Sequence, residues 1–208
     1  MRPITIGLTG KARSGKSTVA EILRDQHGFT IISFADTLRE MALAIDPIIG
    51  ADMGELVWLS ELVGDSNGWE RAKDEWPEVR RFLQRLGTDG VRNHLGQSAW
   101  VDAWRSKADA ASGSVVAADI RFDNEASAVH EFWDAEVWRI ERPGLVDPSG
   151  AAGHTSENGI ADHLVTRKIV NNGNLSDLAA KVAALTSQIG SRRPEDASPA
   201  TAGPGRQG

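Results

Sequence analysis

The chain has no cysteine among its 208 residues, so disulfides, thiolate catalysis and cysteine-held zinc are excluded. It has no unbroken apolar run of the roughly 18 residues that a membrane-spanning helix needs. It also has no excess of positive charge: 23 lysines and arginines face 29 carboxylates, a net charge of −6. That weighs against an extended nucleic-acid interface, which takes a basic face. A local basic pocket remains open, with Lys11, Arg13, Lys16, Arg39, Arg121, Arg139 and Arg142 as its candidates. Any one arginine alone reads first as solvated surface charge. Met1-Arg2-Pro3 leads almost at once into an apolar stretch, so no signal peptide is expected. The expectation is a cytoplasmic protein with a single main domain over 1–190.

What is present is a phosphate-binding loop. Gly10-Lys11-Ala12-Arg13-Ser14-Gly15-Lys16-Ser17 fits G-x-x-x-x-G-K-[ST]. The β-branched, apolar run Ile4–Thr9 before it reads as a buried strand. After it, Val19, Ile22 and Leu23 share one helical face. Strand, glycine loop and helix form the setting in which such a loop works. Its amides converge on phosphate oxygens with the positive end of a helix dipole behind them. Lys16 reaches the β- and γ-phosphates, the Ser17 hydroxyl ligates Mg²⁺, and Thr18 follows in the first turn.

The rest of the chain alternates strands and helices, which implies a doubly wound parallel sheet of about five strands flanked by helices. Gly28 closes the first helix, Phe29–Phe34 reads as a strand, and Ala35–Leu43 as a helix with Leu38, Met41 and Ala42 inward. Asp36 stands at the carboxyl end of that strand, either as helix cap or as ligand group. Residues 46–77 are irregular, with a short helix expected over Met53–Val63. Residues 46–77 read as an insertion that can cover a substrate site, or alternatively as a packed peripheral hairpin; with the helices that follow, 46–112 makes a substrate-covering helical region. Pro77–Gly87 reads as a helix that Gly87 ends, with Val79, Phe82, Leu83 and Leu86 buried. Trp100, Val101 and Trp104 share a face of the next helix; such tryptophans are core more often than base-stacking platforms.

Ser114–Ile120 is a strand that brings a carboxylate, Asp119, to its end, where an acid holding Mg²⁺ is expected. Arg121 follows on the same edge, and Asp123 suits the cap of the next helix. Glu136–Ile140 and Leu164–Val170 read as the remaining strands and Leu175–Ile189 as the terminal helix. The polar loop 142–158, with Arg142, His154 and Glu157, is long enough to serve as a lid. Without a second histidine at metal spacing, His154 reads as a solvated loop residue. Residues 191–208 carry no periodicity and read as a disordered tail.

Several motifs, taken in order, go further. Ser33–Arg39, Leu83–Asp89 with Arg92, Trp100-Val101, Asp119–Glu125, Arg139–Pro143, His154–Glu157 and Val170–Gly173 accompany the loop at 10–17. In this combination the chain resembles the bacteriophage-type deoxynucleoside monophosphate kinases of the P-loop kinase fold. The resemblance implies transfer of the γ-phosphoryl of ATP to a deoxynucleoside monophosphate, with ATP and Mg²⁺ as cofactors. It implies that residues 10–18 bind the donor, that Ser17 and Asp119 hold the metal, and that Lys16, Arg121 and Arg142 act on the moving phosphoryl group. Asp36, Arg39, Arg92, Trp100, Arg121 and Glu157 would bind the acceptor, with Trp69 as another candidate for stacking on its base. Partners would be small nucleotides, with neither nucleic acid nor membrane, and a homodimer is left open. The location would be the host cytoplasm for a phage-encoded chain. Two other readings stand beside it: a dephospho-coenzyme A or other small-molecule kinase, and a non-catalytic nucleotide switch.

Overall fold

The computed structural model describes residues 3–64, 68–145 and 159–191. Its contacts divide the chain into two units, one of Met1–Ser33 with Arg105–Gly208, the other of Phe34–Trp104.

The first unit is built on a five-stranded sheet. Its strands are β1 (Thr5–Thr9), β2 (Thr30–Ile31), β5 (Val115–Ala117), β6 (Glu136–Glu141) and β7 (Arg167–Val170). They lie in the order β2-β5-β1-β6-β7 and every pair is parallel. Parallel neighbours cannot be joined by tight turns, so the connections cross over the faces. On one face α1 (Lys16–His27) and α9 (Leu175–Gly190) bring Val19, Leu23, Leu178 and Val182 against Ile6, Leu8, Val116 and Trp138. On the other lies α8 (Asp123–His130). There Gly7 of β1 leaves room for Ile120 and for Val129 of α8. A parallel sheet covered on both faces is the doubly wound arrangement expected. The chain starts in the central strand, visits one edge and returns to build the other. The reversal beside β1 opens a crevice at the carboxyl ends of the strands.

The second unit contains α2 (Asp36–Ile45), the hairpin β3 (Ile48–Asp52) and β4 (Glu55–Trp58), then α3 (Leu59–Leu62), α4 (Gly68–Glu75) and α5 (Pro77–Gln84). After α5 the helix continues in a wider π winding from Arg85 to Arg92 and runs into α6 (Asn93–Leu95). Helix α7 (Ala99–Ala110) extends across the boundary into the first unit's stretch of sequence. The unit has its own core of Ala42, Ile49, Leu59, Val63, Ala72, Val79 and Leu83. Phe34 stacks on Trp104 with ring centroids 4.7 Å apart.

Several sequence expectations change here. Met53–Val63 is not one helix: Met53 and Gly54, with φ of 49° and 89°, form a two-residue turn between Asp52 and Glu55. That left-handed pair matches the twist of an antiparallel hairpin and overrides the apolar spacing. Gly87 does not end its helix, which runs on to Gly96. Gly87 is buried, and a Cβ there would sit 3.3 Å from Leu38 of α2, so the glycine permits close packing rather than a stop. The second strand shortens to Thr30–Ile31, although the Ile32 N–H still donates to the Val116 carbonyl at 3.0 Å. Asp36 and Asp123 are the first residues of their helices, not the caps, which are Ala35 and Phe122. Lid residues 146–158 and tail residues 192–208 lie outside the described residues.

Leu23 is fully buried between sheet and helices, whereas Leu95 is 72% exposed. Leu23→Ala is expected to cost about 2–5 kcal/mol, and Leu95→Ala to stay within about 0.5 kcal/mol of the parent. Urea unfolding midpoints check this; equal losses at both positions would contradict the core described here.

Candidate phosphate-binding site

The loop Gly10–Ser17 leaves the carboxyl end of the central strand and enters α1 at Lys16. Its glycines are required by geometry. Gly10 has φ 139° and lies against the Ile140 carbonyl. Gly15 has φ 108°, and a Cβ there would stand 2.6 Å from the Asn171 carboxamide nitrogen. No acidic residue occupies the first turn of α1, so the positive end of its dipole is not neutralised from within the helix. Ser14 is buried, and its hydroxyl has no hydrogen-bond partner among the described residues. Buried hydroxyls are normally satisfied; an anion in the loop would supply the missing acceptor.

Lys16 is turned back on the loop. Its ammonium donates to the carbonyls of Gly10 at 2.7 Å and Lys11 at 2.8 Å. Burial lowers its pKa to about 8. The nearby Arg121 charge pushes the same way, and Asp119 opposes both. Lys16, which the sequence separates from Asp119 and Arg121 by more than a hundred residues, thus feels both of their charges at the carboxyl edge. Asp119 is half-buried and Arg121 exposed. Their turn is held by Glu125, a buried carboxylate that accepts from the backbone N–H groups of Arg121 at 2.8 Å and Phe122 at 3.2 Å. The Ile120 N–H donates to Leu8 at 3.0 Å and keeps this turn on the edge of β1.

Lys11, Ala12, Arg13 and Ser17 are exposed along the loop, and Thr18 is half-buried. Arg142 is exposed just beyond β6. Arg139 is engaged elsewhere: it pairs with Asp162, whose carboxyl it holds below the usual range, and donates to the Ile160 carbonyl at 2.6 Å. Asp123 likewise accepts from the Ala161 N–H at 2.9 Å. Glu157 and His154 lie outside the described residues.

Asp36, Arg39, Arg92 and Trp100 belong to the second unit. Arg39 and Asp36 form a half-buried ion pair at 3.3 Å, one helical turn apart. Arg92 is half-buried and ends the π winding. Trp100 is only 5% exposed, and its indole N–H donates to the Gly87 carbonyl at 3.1 Å. It braces the π turn and has little face left for a ligand.

A metal at the loop would have the Ser17 hydroxyl and the Asp119 carboxylate. Among the described residues no group of three or more histidines, cysteines or carboxylates could hold a metal ion. A hydroxyl and one acid suit Mg²⁺, which keeps waters and takes phosphate oxygens for the rest of its shell. The described residues contain no helix long and apolar enough to cross a membrane.

One contributor was missed in the sequence. Asn171, just past β7, donates from its carboxamide to the Ser14 carbonyl at 2.9 Å. Its place at the carboxyl end of a strand, inside the Val170–Gly173 motif, was the available signal, though nothing in its spacing links it to the loop.

A family model described as deoxynucleotide monophosphate kinase matches residues 66–182, more than half of the chain. A protein of Acanthamoeba polyphaga mimivirus, provisionally named deoxynucleotide monophosphate kinase, is 27% identical over 197 residues, covering 86% of this chain and 94% of the viral one. Among solved structures, TT1252 of Thermus thermophilus is similar at 19% identity and a TM-score of 0.45, over 90% of this chain and 98% of that one. A dephospho-CoA kinase of Campylobacter jejuni matches at 13% identity and a TM-score of 0.40, over 89% and 96% of the two chains. Likeness at this level says nothing about substrate.

The state of Lys16 has a measurable consequence. Below pH 8 its charge is carried in folded and unfolded chains alike, and burying it opposes folding. Between about 8 and the ordinary value of 10.5, the folded loop sheds a proton that the unfolded chain keeps, so stability rises with pH in that window. The urea midpoint of the parent, measured relative to Lys16→Met, should therefore climb between pH 7.5 and 9.5. A flat or falling difference would show that the ammonium is not burdened by burial.

Proposed function

The chain belongs to the deoxynucleotide monophosphate kinase family, and from that premise we propose that it passes the γ-phosphoryl group of ATP to the 5′-phosphate of a deoxynucleoside monophosphate. An acceptor phosphate oxygen forms a bond to the γ-phosphorus, the bond to the β,γ-bridging oxygen breaks, and ADP leaves. The acceptor phosphate is already ionised near neutral pH, so no side chain has to remove a proton. The work is positioning and charge neutralisation.

Each residue has a task in this reading. The amides of Gly10–Thr18 hold the donor's phosphates, and Lys11 and Arg13 line that side. Lys16 leaves the Gly10 and Lys11 carbonyls for the γ-phosphoryl and neutralises it as it moves. Arg121, whose charge already bears on Lys16, steadies the transferring group and the acceptor phosphate. Ser17 and Asp119 would hold Mg²⁺, which when bound offsets charge on the β- and γ-oxygens. Arg39 and Arg92 offer forked guanidinium donors to the acceptor phosphate, with Asp36 orienting Arg39 or the acceptor sugar. Trp100 serves by bracing the turn that carries Arg92. Arg142 and Glu157, from the lid, complete the acceptor side. The region 46–112 covers the substrate, and the chain works in the cytoplasm, that of the host if it is phage-encoded.

The observation that carries this reading is the loop lysine: a half-buried ammonium held on the Gly10 and Lys11 carbonyls and under the charges of Asp119 and Arg121, in a chain of this family. A coupled ADP-release assay with the four deoxynucleoside monophosphates and dephospho-coenzyme A tests it. Turnover is expected with at least one of the former and none with the latter; the reverse pattern overturns it. Lys16→Met should lower turnover at least about a thousand-fold with the fold intact, in line with loss of transition-state charge neutralisation. Arg92→Ala should raise the acceptor's KM about ten-fold and leave that of ATP unchanged.

A further inference from the structure

We propose that Asn171 is a positioning residue for the phosphate loop, aiming the Gly15 amide at the donor's phosphates through the Ser14 carbonyl. The inference rests on the reading that this loop holds the phosphates of ATP. Three observations lead to it. First, Asn171 is itself fixed: its backbone N–H donates to the Glu141 carbonyl at 2.7 Å, which extends the β6–β7 pairing by one residue. Second, its carboxamide donates to the Ser14 carbonyl at 2.9 Å, a bond between positions 157 residues apart. Third, the carboxamide fills the space beside Gly15, where a Cβ would come within 2.6 Å of it.

The consequence follows from the planarity of the peptide. The Ser14 carbonyl and the Gly15 N–H belong to one trans unit and point in opposite directions. Tying the carbonyl outward to the sheet edge turns the amide inward, toward an anion. The untied alternative is costly, because a carbonyl oxygen swung into the loop would face phosphate oxygens of the same sign. Competition of this kind is already visible: the carbonyls of Gly10 and Lys11 hold the Lys16 ammonium at 2.7 and 2.8 Å. The Ser14 carbonyl is kept out of that contest by Asn171. The glycine at 15 is then demanded twice, by its φ of 108° and by the group packed against it.

The test compares the parent enzyme with Asn171→Ala and with Asn171→Asp, which keeps the shape but loses the donor when ionised. Inorganic tripolyphosphate binding by calorimetry, steady-state KM for ATP and acceptor separately, and the Gly15 amide resonance in a ¹⁵N-labelled sample are read together. In the parent, tripolyphosphate should bind and move the Gly15 amide downfield. In both variants the amide shift should shrink and the KM for ATP should rise about ten-fold, the loss of one well-made hydrogen bond, with the acceptor's KM unchanged. An ATP KM within two-fold of the parent in Asn171→Ala overturns the proposal while leaving the phosphate loop standing. So does retention of parent behaviour by Asn171→Asp, which would make the residue a space-filler. Equal rises in both KM values with a lower melting temperature would reassign it to general stability. A parent that fails to bind tripolyphosphate overturns the loop reading and this one with it.

Discussion

A loop that takes an anion must turn several amides toward one point and keep its carbonyls away from it. The stretch from Gly10 to Ser17 meets that constraint only because neighbouring elements hold it. Gly10 presses on β6 at the Ile140 carbonyl, Ser14 is tied to Asn171 beyond β7, and the Val19 N–H bonds back to Gly15 at 3.0 Å as α1 begins. The carbonyls of Gly10 and Lys11 are covered by Lys16 itself. The parallel sheet is thus the frame for a small piece of backbone whose natural tendency would be to present both polarities at once.

Charge is arranged locally in a chain that is acidic overall. The net charge is −6, yet the carboxyl edge gathers Lys16 and Arg121, with Asp119 as partial counterweight. Burial and a neighbouring guanidinium both disfavour the lysine's proton, a state that a polyanion in the loop would relieve. In the second unit the balance is different: Arg39 is paired with Asp36. That unit uses its rigidity elsewhere. The π winding from Arg85 to Arg92 is held by Leu38 packing at Gly87 and by the Trp100 indole on the Gly87 carbonyl. Such irregular helical turns are often found where function needs a residue placed off the regular period.

Much of the first unit was legible in the residue order. The strand Thr5–Thr9, the helix closing at Gly28 and an acid just beyond a strand follow from short-range pattern, since strand alternation, capping and loop glycines depend on near neighbours. The strand expected over Ser114–Ile120 shortens to Val115–Ala117, which leaves Asp119 two residues past its end. The hairpin at Met53-Gly54 was misread because apolar residues at Leu56, Leu59 and Leu62 fit a helical period, while the turn conformation that overrules it lies in two residues. Gly87 was misread for a related reason. A glycine serves as a helix stop or as a packing notch, and only the element packed against it decides between them.

By itself, the sequence determined that a phosphate loop lies between a strand and a helix, and which acids and arginines stand near strand ends. These are properties of residues within a few positions of one another. Only the tertiary structure decided that Asn171 meets Ser14, that Arg139 is taken by Asp162, that Lys16 feels the charges of Asp119 and Arg121, and that Trp100 is buried against Gly87. The physical reason is distance along the chain. Those meetings are created by strand order and helix packing, which bring together residues whose spacing carries no periodic trace.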